Sequence, residues 1–344
     1  MKKTFSVLLL VLAVVLPAPA AHFKLNLFIW SEYIDPGIVS EFEKLYDCKV
    51  NLDYFEDEDT MMSKLEAGGA AQYDIVVPPD HCVPAMIKLK LLMPLRHENI
   101  KNLRNLEDRF QNPPWDPGNR YTVAYQWGTT GLYVRKTNDQ VLPETWGLIF
   151  DPKLQPGSFL LLDSMRDMIS AALRYLGFDP NSTNPAELKK GRDLLLATKQ
   201  RAFGFEGGVG GKNKVLDKTV VAAVAYNGDA ARGMKEDPAT CFILPREGAQ
   251  MWVDNLAILA HAPNRFVAEK FLDFLLRPDI SARLATFNRY ATPNKAALRL
   301  IKSEDLRNPA IYPPPEVVKT LRFTQDLGRK TRLYDEIWTQ VKAK

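Results

Sequence analysis

Phe28-Ile29-Trp30-Ser31-Glu32-Tyr33 closes a run, Lys24 to Trp30, in which Leu25, Leu27 and Ile29 alternate with Lys24, Asn26 and Phe28. Alternation with a period of two marks a β-strand. Just beyond it, Asp35-Pro36 has the chemistry of a helix start, with Asp as N-cap and Pro at the first helical position. Strand, short loop and helix make the opening of an α/β unit, and open α/β sheets bind ligands beyond the carboxyl ends of their strands. Trp30, Ser31, Glu32 and Tyr33 therefore stand where a ligand would sit. Two aromatics and an acid suit a cation carried on an apolar stem. A Trp and a Tyr that only cover a strand end are the plainer alternative.

The same rhythm continues outward. Ile38, Val39, Phe42 and Leu45 share one helical face, and Val50, Leu52 and Tyr54 alternate as a strand. A short helix (Met61, Met62, Leu65) is followed by a buried strand, Asp74 to Val77, which runs into Asp80 and His81 before the next helix. His97 to Asn119 reads as an irregular surface excursion. Tyr121 to Val134 gives two strand-like pieces joined through Gly128-Thr129-Thr130-Gly131, small residues that suit a hinge. Strand Phe159–Leu162 ends in Asp163-Ser164-Met165-Arg166-Asp167, and a helix over 185–199 is capped by Asn184. The apolar run 220–225 ends in Tyr226-Asn227-Gly228-Asp229, and strand 251–258 carries Trp252 and Asp254 on one face. Helix 264–276 and a helical C-terminus complete the pattern. Alternating strands and helices predict an α/β fold. Five strand ends with an aromatic or an acid, drawn from both halves, predict a cleft between two α/β lobes.

The N-terminus has Lys2 and Lys3, an apolar run from Phe5 to Leu16 and the small residues Ala18-Pro19-Ala20-Ala21. That is the pattern of a secretory signal peptide over 1–21, too short to span a membrane stably. No Cys stands at the cleavage point, so no lipid anchor is expected. The remaining 323 residues carry 43 Lys+Arg against 41 Asp+Glu, with no basic stripe of the kind nucleic acid requires. Cys48, Cys82 and Cys241 are widely spaced and the four histidines are scattered, so free thiols are expected, with one disulfide allowed, and no metal site.

Other chemistries fit less well. Glu206-Gly207-Gly208-Val209-Gly210-Gly211-Lys212-Asn213 imitates a phosphate loop, but Glu206 stands where Gly is needed and Asn213 where Ser or Thr is, so a flexible loop is expected and no nucleotide cofactor. His81-Cys82 is a poor nucleophile pair, because neighbours on an extended segment point apart. Paired acids in an aromatic cleft also describe a glycosidase. They equally describe a receptor for an organic polycation, in which each ammonium needs a carboxylate and the methylenes between need apolar faces.

Ile29-Trp30-Ser31-Glu32-Tyr33-Ile34, Tyr73-Asp74-Ile75-Val76-Val77-Pro78, Trp127-Gly128-Thr129-Thr130-Gly131, Tyr226-Asn227-Gly228, Trp252-Val253-Asp254 and Tyr290-Ala291-Thr292-Pro293-Asn294 occur in this order across the chain. As an ordered set they resemble the periplasmic spermidine/putrescine-binding proteins of polyamine ABC transporters. That resemblance implies a two-lobed, type II Venus-flytrap periplasmic-binding-protein fold, each lobe a mostly parallel sheet flanked by helices, with the ligand between the lobes. It implies discontinuous lobes, 22–130 plus 253–298 and 131–252 plus 299–344, with crossovers near Thr130 and Trp252. Trp30, Tyr33, Trp252 and Tyr290 would flank the methylene chain, Asp254 and Asp167 would pair amines, and Ser31 and Glu32 would lie nearby. The chain departs from the family at Pro79-Asp80-His81, where Ser-x-Tyr is usual, at Tyr226 for Trp, at Ser164 for an acid (with Asp163 adjacent), at Asp167 for Glu and at Thr324 for Gln. The function implied by the resemblance is that of a monomeric periplasmic receptor, without cofactor or enzymatic activity, that delivers spermidine or putrescine to a membrane ABC permease. Another organic cation or a sugar in the same fold, or a carboxylate-pair glycosidase, are the alternatives.

Overall fold

The strand that opens the sequence, β1 (Phe23–Trp30), pairs in parallel with β2 (Cys48–Phe55) and with β3 (Ile75–Val76). The structure is a computed structural model that describes residues 23–136 and 141–343, and the expected signal peptide lies outside them. Leu25, Leu27 and Ile29 face one core as the alternation requires. Phe28 is not a solvent-facing residue: it is fully buried in a second core on the opposite face, stacked 4.7 Å from Tyr73 and edge-on to Phe55. Strand β1 is thus covered on both sides, as a parallel strand between helical layers should be.

Helix α1 (Pro36–Tyr46) begins as its sequence dictates, the Asp35 carboxylate accepting a hydrogen bond from Gly37 N at 2.7 Å. Helices α2 (Glu58–Glu66) and α3 (Val83–Lys88) flank the other face. Strand β4 (Thr122–Arg135) is one continuous strand of 14 residues, not two pieces. Its first half pairs antiparallel with β9 (Gln250–Ile258), its second half with β7 (Ala222–Tyr226), and a single irregularity falls between Ala124 and Gln126. Partners on both sides hold the Gly128–Gly131 segment extended where local propensity alone would break it. Strands β5 (Phe159–Leu162) and β6 (Gly204–Glu206) extend the second lobe in parallel, and β8 (Thr240–Ile243) and β10 (Arg322–Phe323) add short edges. The order β2-β1-β3-β9-β4-β7-β5-β6 joins two α/β lobes through β4 and β9.

The second lobe carries α4 (Met165–Tyr175), α5 (Pro185–Lys199), α6 (Gly208–Leu216) and α7 (Asn227–Glu236). Helices α8 (Arg265–Leu275) and α9 (Pro278–Asn288) return to the first lobe, and α10 (Thr331–Ala343) packs on α4 and α5. Two further expectations are corrected. The glycine run after Glu206 is not a loop but the first turn of α6. Residues 97–119 are no surface excursion: short turns there bury Ile100, Leu106 and Phe110, and Glu107 N donates to Pro293 O at 2.9 Å. Apolar residues three and four apart make that segment part of the first core. Cys48, Cys82 and Cys241 are free thiols. No helix of the described residues is long and apolar enough to cross a membrane.

Candidate functional site

The carboxyl ends of the strands converge on a cleft between the lobes with about 700 Å³ free of protein atoms. The end of β1 and the loop after it supply Trp30, Ser31 and Tyr33, and the first half of β9 brings Trp252 and Asp254 to them. His81, Asp167, Tyr226, Tyr290 and Thr324 complete the sequence-derived members of the lining.

The aromatics form a connected wall. Tyr33 and Tyr290 meet edge to face at 5.3 Å between ring centres, Trp252 and Tyr290 at 5.2 Å, and Tyr226 and Trp252 at 5.6 Å. Trp30 is pinned from behind, its indole N–H donating to Val77 O at 3.0 Å and its ring against Phe55. Gly228, in the first turn of α7, lets Tyr290 lie flush: a Cβ there would be 2.5 Å from the ring. Such edge-to-face contacts fix each ring's orientation and leave π faces for a cation or an alkyl chain.

The acids are held by neutral donors. The Tyr33 hydroxyl donates to Asp254 Oδ2 at 2.7 Å, and Tyr33 is itself positioned by Tyr125, whose hydroxyl donates to Tyr33 O. Thr130 Oγ1 donates to Asp167 Oδ1 at 2.6 Å and Ser164 Oγ to Oδ2 at 2.8 Å. Among the described residues no Lys or Arg forms an ion pair with Asp167 or Asp254. Burial therefore lifts the Asp254 carboxyl to about 8, the Tyr33 hydrogen bond only partly opposing it while Asp80 and Glu58 add to it. Burial raises Asp167 in the same direction. Carboxylates kept dry without a Lys or Arg ion pair are poised for a cation from outside.

Four expected residues stand elsewhere. Asp163 points outward and pairs with Lys342 Nζ at 2.7 Å, because successive side chains alternate where β5 ends. Ser164 caps α4 and braces Asp167 without lining the cleft. Asp80 is buried behind the wall, its Oδ1 accepting from His81 N at 2.9 Å. Glu32 has a left-handed backbone (φ 53°) that turns it away from the cleft, toward Lys212 Nζ at 3.2 Å and Arg232 Nη2 at 2.9 Å in the other lobe. Thr324 lines the cleft while accepting from Gln250 Nε2 at 2.7 Å.

Six lining residues lie beyond the expected set: Glu56, Glu58, Pro79, Gly208, Val209 and Asp229. Asp229 sits on a strand end already singled out, and Arg232 neutralises it at 2.5 Å. Glu56 and Glu58 follow β2, so the strand-end rule that found Trp30 also reaches them. Glu56 accepts from Ser31 Oγ, and Glu58 faces His81. Gly208 is required by close approach, since a Cβ would lie 2.5 Å from Asp229 Oδ2 and 2.7 Å from the Tyr226 ring.

Residues 37–313 match the family model described as bacterial extracellular solute-binding protein. The chain is 32% identical over 352 residues to the spermidine/putrescine-binding periplasmic protein of Escherichia coli K12, covering 100% of this chain and 99% of that one. It is 32% identical over 338 residues to a putrescine/cadaverine-binding protein of Pseudomonas aeruginosa, covering 93% and 94%. A solved structure of the spermidine/putrescine ABC transporter substrate-binding protein PotD from Streptococcus pneumoniae superposes with a TM-score of 0.79 at 28% identity, covering 93% of this chain and 98% of that one.

Proposed function

The chain belongs to the bacterial extracellular solute-binding proteins, and from that premise we propose that it is a periplasmic receptor that captures a polyamine and passes it to a membrane ABC permease. The observation that carries this reading is the pair Asp167 and Asp254, buried carboxylates held by neutral donors in a cleft that they share with an aromatic wall. An α,ω-diammonium chain supplies what each lacks: a charge at either end and methylenes for the rings. A neutral sugar would leave both carboxyls without a cation. In this reading the carboxylates act as counter-ions, not as the acid and base of a glycosidase, and the protein is not an enzyme.

The lobes are proposed as 22–130 plus 253–298 and 131–252 plus 299–344, closing about the shared strands β4 and β9 over the ligand, with a monomer as the working unit. The ion pairs of Glu32 with Lys212 and Arg232 favour the closed form because they span the two lobes. The test is calorimetric titration of protein stripped of bound ligand with putrescine, spermidine and a panel of neutral sugars, at low and high salt. Micromolar or tighter polyamine binding that weakens with ionic strength is expected. Sugar binding without polyamine binding would refute the proposal.

A further inference from the structure

Among the described residues that line the cleft, His81 is the sole cation, and it stands amid the acids. Its Nε2 is 3.7 Å from Glu58 Oε1 and its Nδ1 3.6 Å from Asp80 Oδ1; the side chain is only 13% exposed, as is that of Glu58. Nδ1 is buried without a hydrogen-bond partner. The titratable groups around the ring are Asp80 and Cys82 on its own turn, Glu58 and Asp59 on α2, Asp167 on α4 and Asp254 on β9. Burial works against the imidazolium, but the groups around the ring outweigh it and hold His81 well above its ordinary value, with Glu58, kept below the ordinary carboxylate range, as the ionised partner across the ring. Arg166 does not line the cleft and makes its direct contacts with the Tyr334 ring, Asn181 Oδ1 and Gln325 O, while its charge still acts on Glu58 and Asp167 from behind the lining.

The charges that a ligand meets can then be counted. Glu56 lies at the exposed rim, Asp229 is matched by Arg232, and Asp80 sits behind the wall, driven by burial toward its neutral form. Glu58, Asp167 and Asp254 remain facing the interior, three carboxylates against one imidazolium. Among these interior lining groups the balance is two negative charges once Asp254 ionises beside an ammonium.

We propose that His81 sets the ligand's length: its imidazolium takes the place of a third ammonium beside Glu58, so the cleft prefers a diamine to a triamine. The inference rests on the polyamine reading above and deepens it. A third ammonium would meet a like charge at close range, and like charges in a desolvated site discriminate strongly between ligands.

Calorimetry with putrescine and spermidine, on ligand-stripped wild type, His81→Gln and Glu58→Gln, tests it. Wild type should bind putrescine at least tenfold more tightly. His81→Gln leaves three interior acids uncompensated and should move the spermidine-to-putrescine affinity ratio at least tenfold toward spermidine. Glu58→Gln removes one acid and keeps the imidazolium, so the ratio should move the opposite way. A purely structural role for His81 does not produce opposite shifts from the two members of one pair. Wild-type preference for spermidine, or ratios that stay put in both variants while both ligands bind, would overturn the inference and leave the polyamine reading standing. Wild type that binds neither ligand overturns both.

Discussion

Replacing Asp254 by Asn removes the charge while keeping the shape and the Tyr33 hydrogen bond, so it isolates what the carboxylate does. Burial lifts this group to about 8, which at pH 7 leaves roughly ten protonated carboxyls for each ionised one. An ammonium needs the ionised form, so binding to the wild type at pH 7 should expel close to one proton. That step costs about 1.4 kcal/mol, and affinity should rise about tenfold per pH unit until pH 8. In Asp254→Asn the buried ammonium has no charged partner, a loss of about 2–5 kcal/mol, or roughly 30-fold to several thousand-fold in affinity. Stability should move the other way. An acid whose folded pKa is raised binds more protons folded than unfolded, so stability falls as pH climbs from about 4 toward 8. The ligand-free variant escapes this penalty and should melt higher than wild type, by more at pH 8 than at pH 5. Titration calorimetry in buffers of different ionisation enthalpy reads the proton, and scanning calorimetry reads the melting temperature. Equal affinities, or proton release that persists in the variant, would refute the reasoning.

Trp252→Ala removes the ring that meets both Tyr226 and Tyr290 and should weaken putrescine binding at least tenfold, on the order of one lost cation–π contact plus its apolar area; titration with unchanged affinity would refute this. Gly228→Ala should displace Tyr290 into the cleft and lower affinity with little change in melting temperature, and a crystal structure of the variant would show whether the ring has moved. Glu32→Gln should weaken binding several-fold without touching the ligand, because it releases Lys212 and Arg232 across the lobes and shifts the balance toward the open form. Small-angle scattering of the ligand-free variant should show a larger radius of gyration; an unchanged radius would remove Glu32 from closure.

Much of this architecture is legible in the chain because periodicity and burial agree. Strand β1, helix α1 with its Asp35-Pro36 start, and strand β9 with Trp252 and Asp254 on one face all follow from spacing alone. The failures have tertiary causes. Strand β4 looks broken at Gly128–Gly131, yet β9 and β7 hold it straight. The glycines after Glu206 look flexible, but Gly208 serves close packing of α6 against Asp229 and Tyr226. Within the cleft, position at a strand end finds the neighbourhood, while the facing of each side chain hangs on a single residue of phase. One left-handed residue turns Glu32 outward, and one step of alternation sends Asp163 to Lys342. The acidic run Glu56 to Asp59 follows the end of β2, and only the fold places Glu58 against His81.

The placing of β9 between β3 and β4 also governs the order in which the chain can fold. Residues 75–76 pair with 257–258, so the first lobe lacks a central strand until some 180 residues later in the chain. At about 5–20 residues per second of synthesis, that is a delay of roughly 10–40 s. The β1–β2–β3 segment meanwhile has one ladder edge unpaired and part of its core missing. For the exported receptor proposed above this lateness is useful, since a chain threaded across a membrane must still be unfolded when it arrives. The strand that carries Trp252 and Asp254 is thus also the one that leaves the first lobe's sheet incomplete until most of the chain has been made.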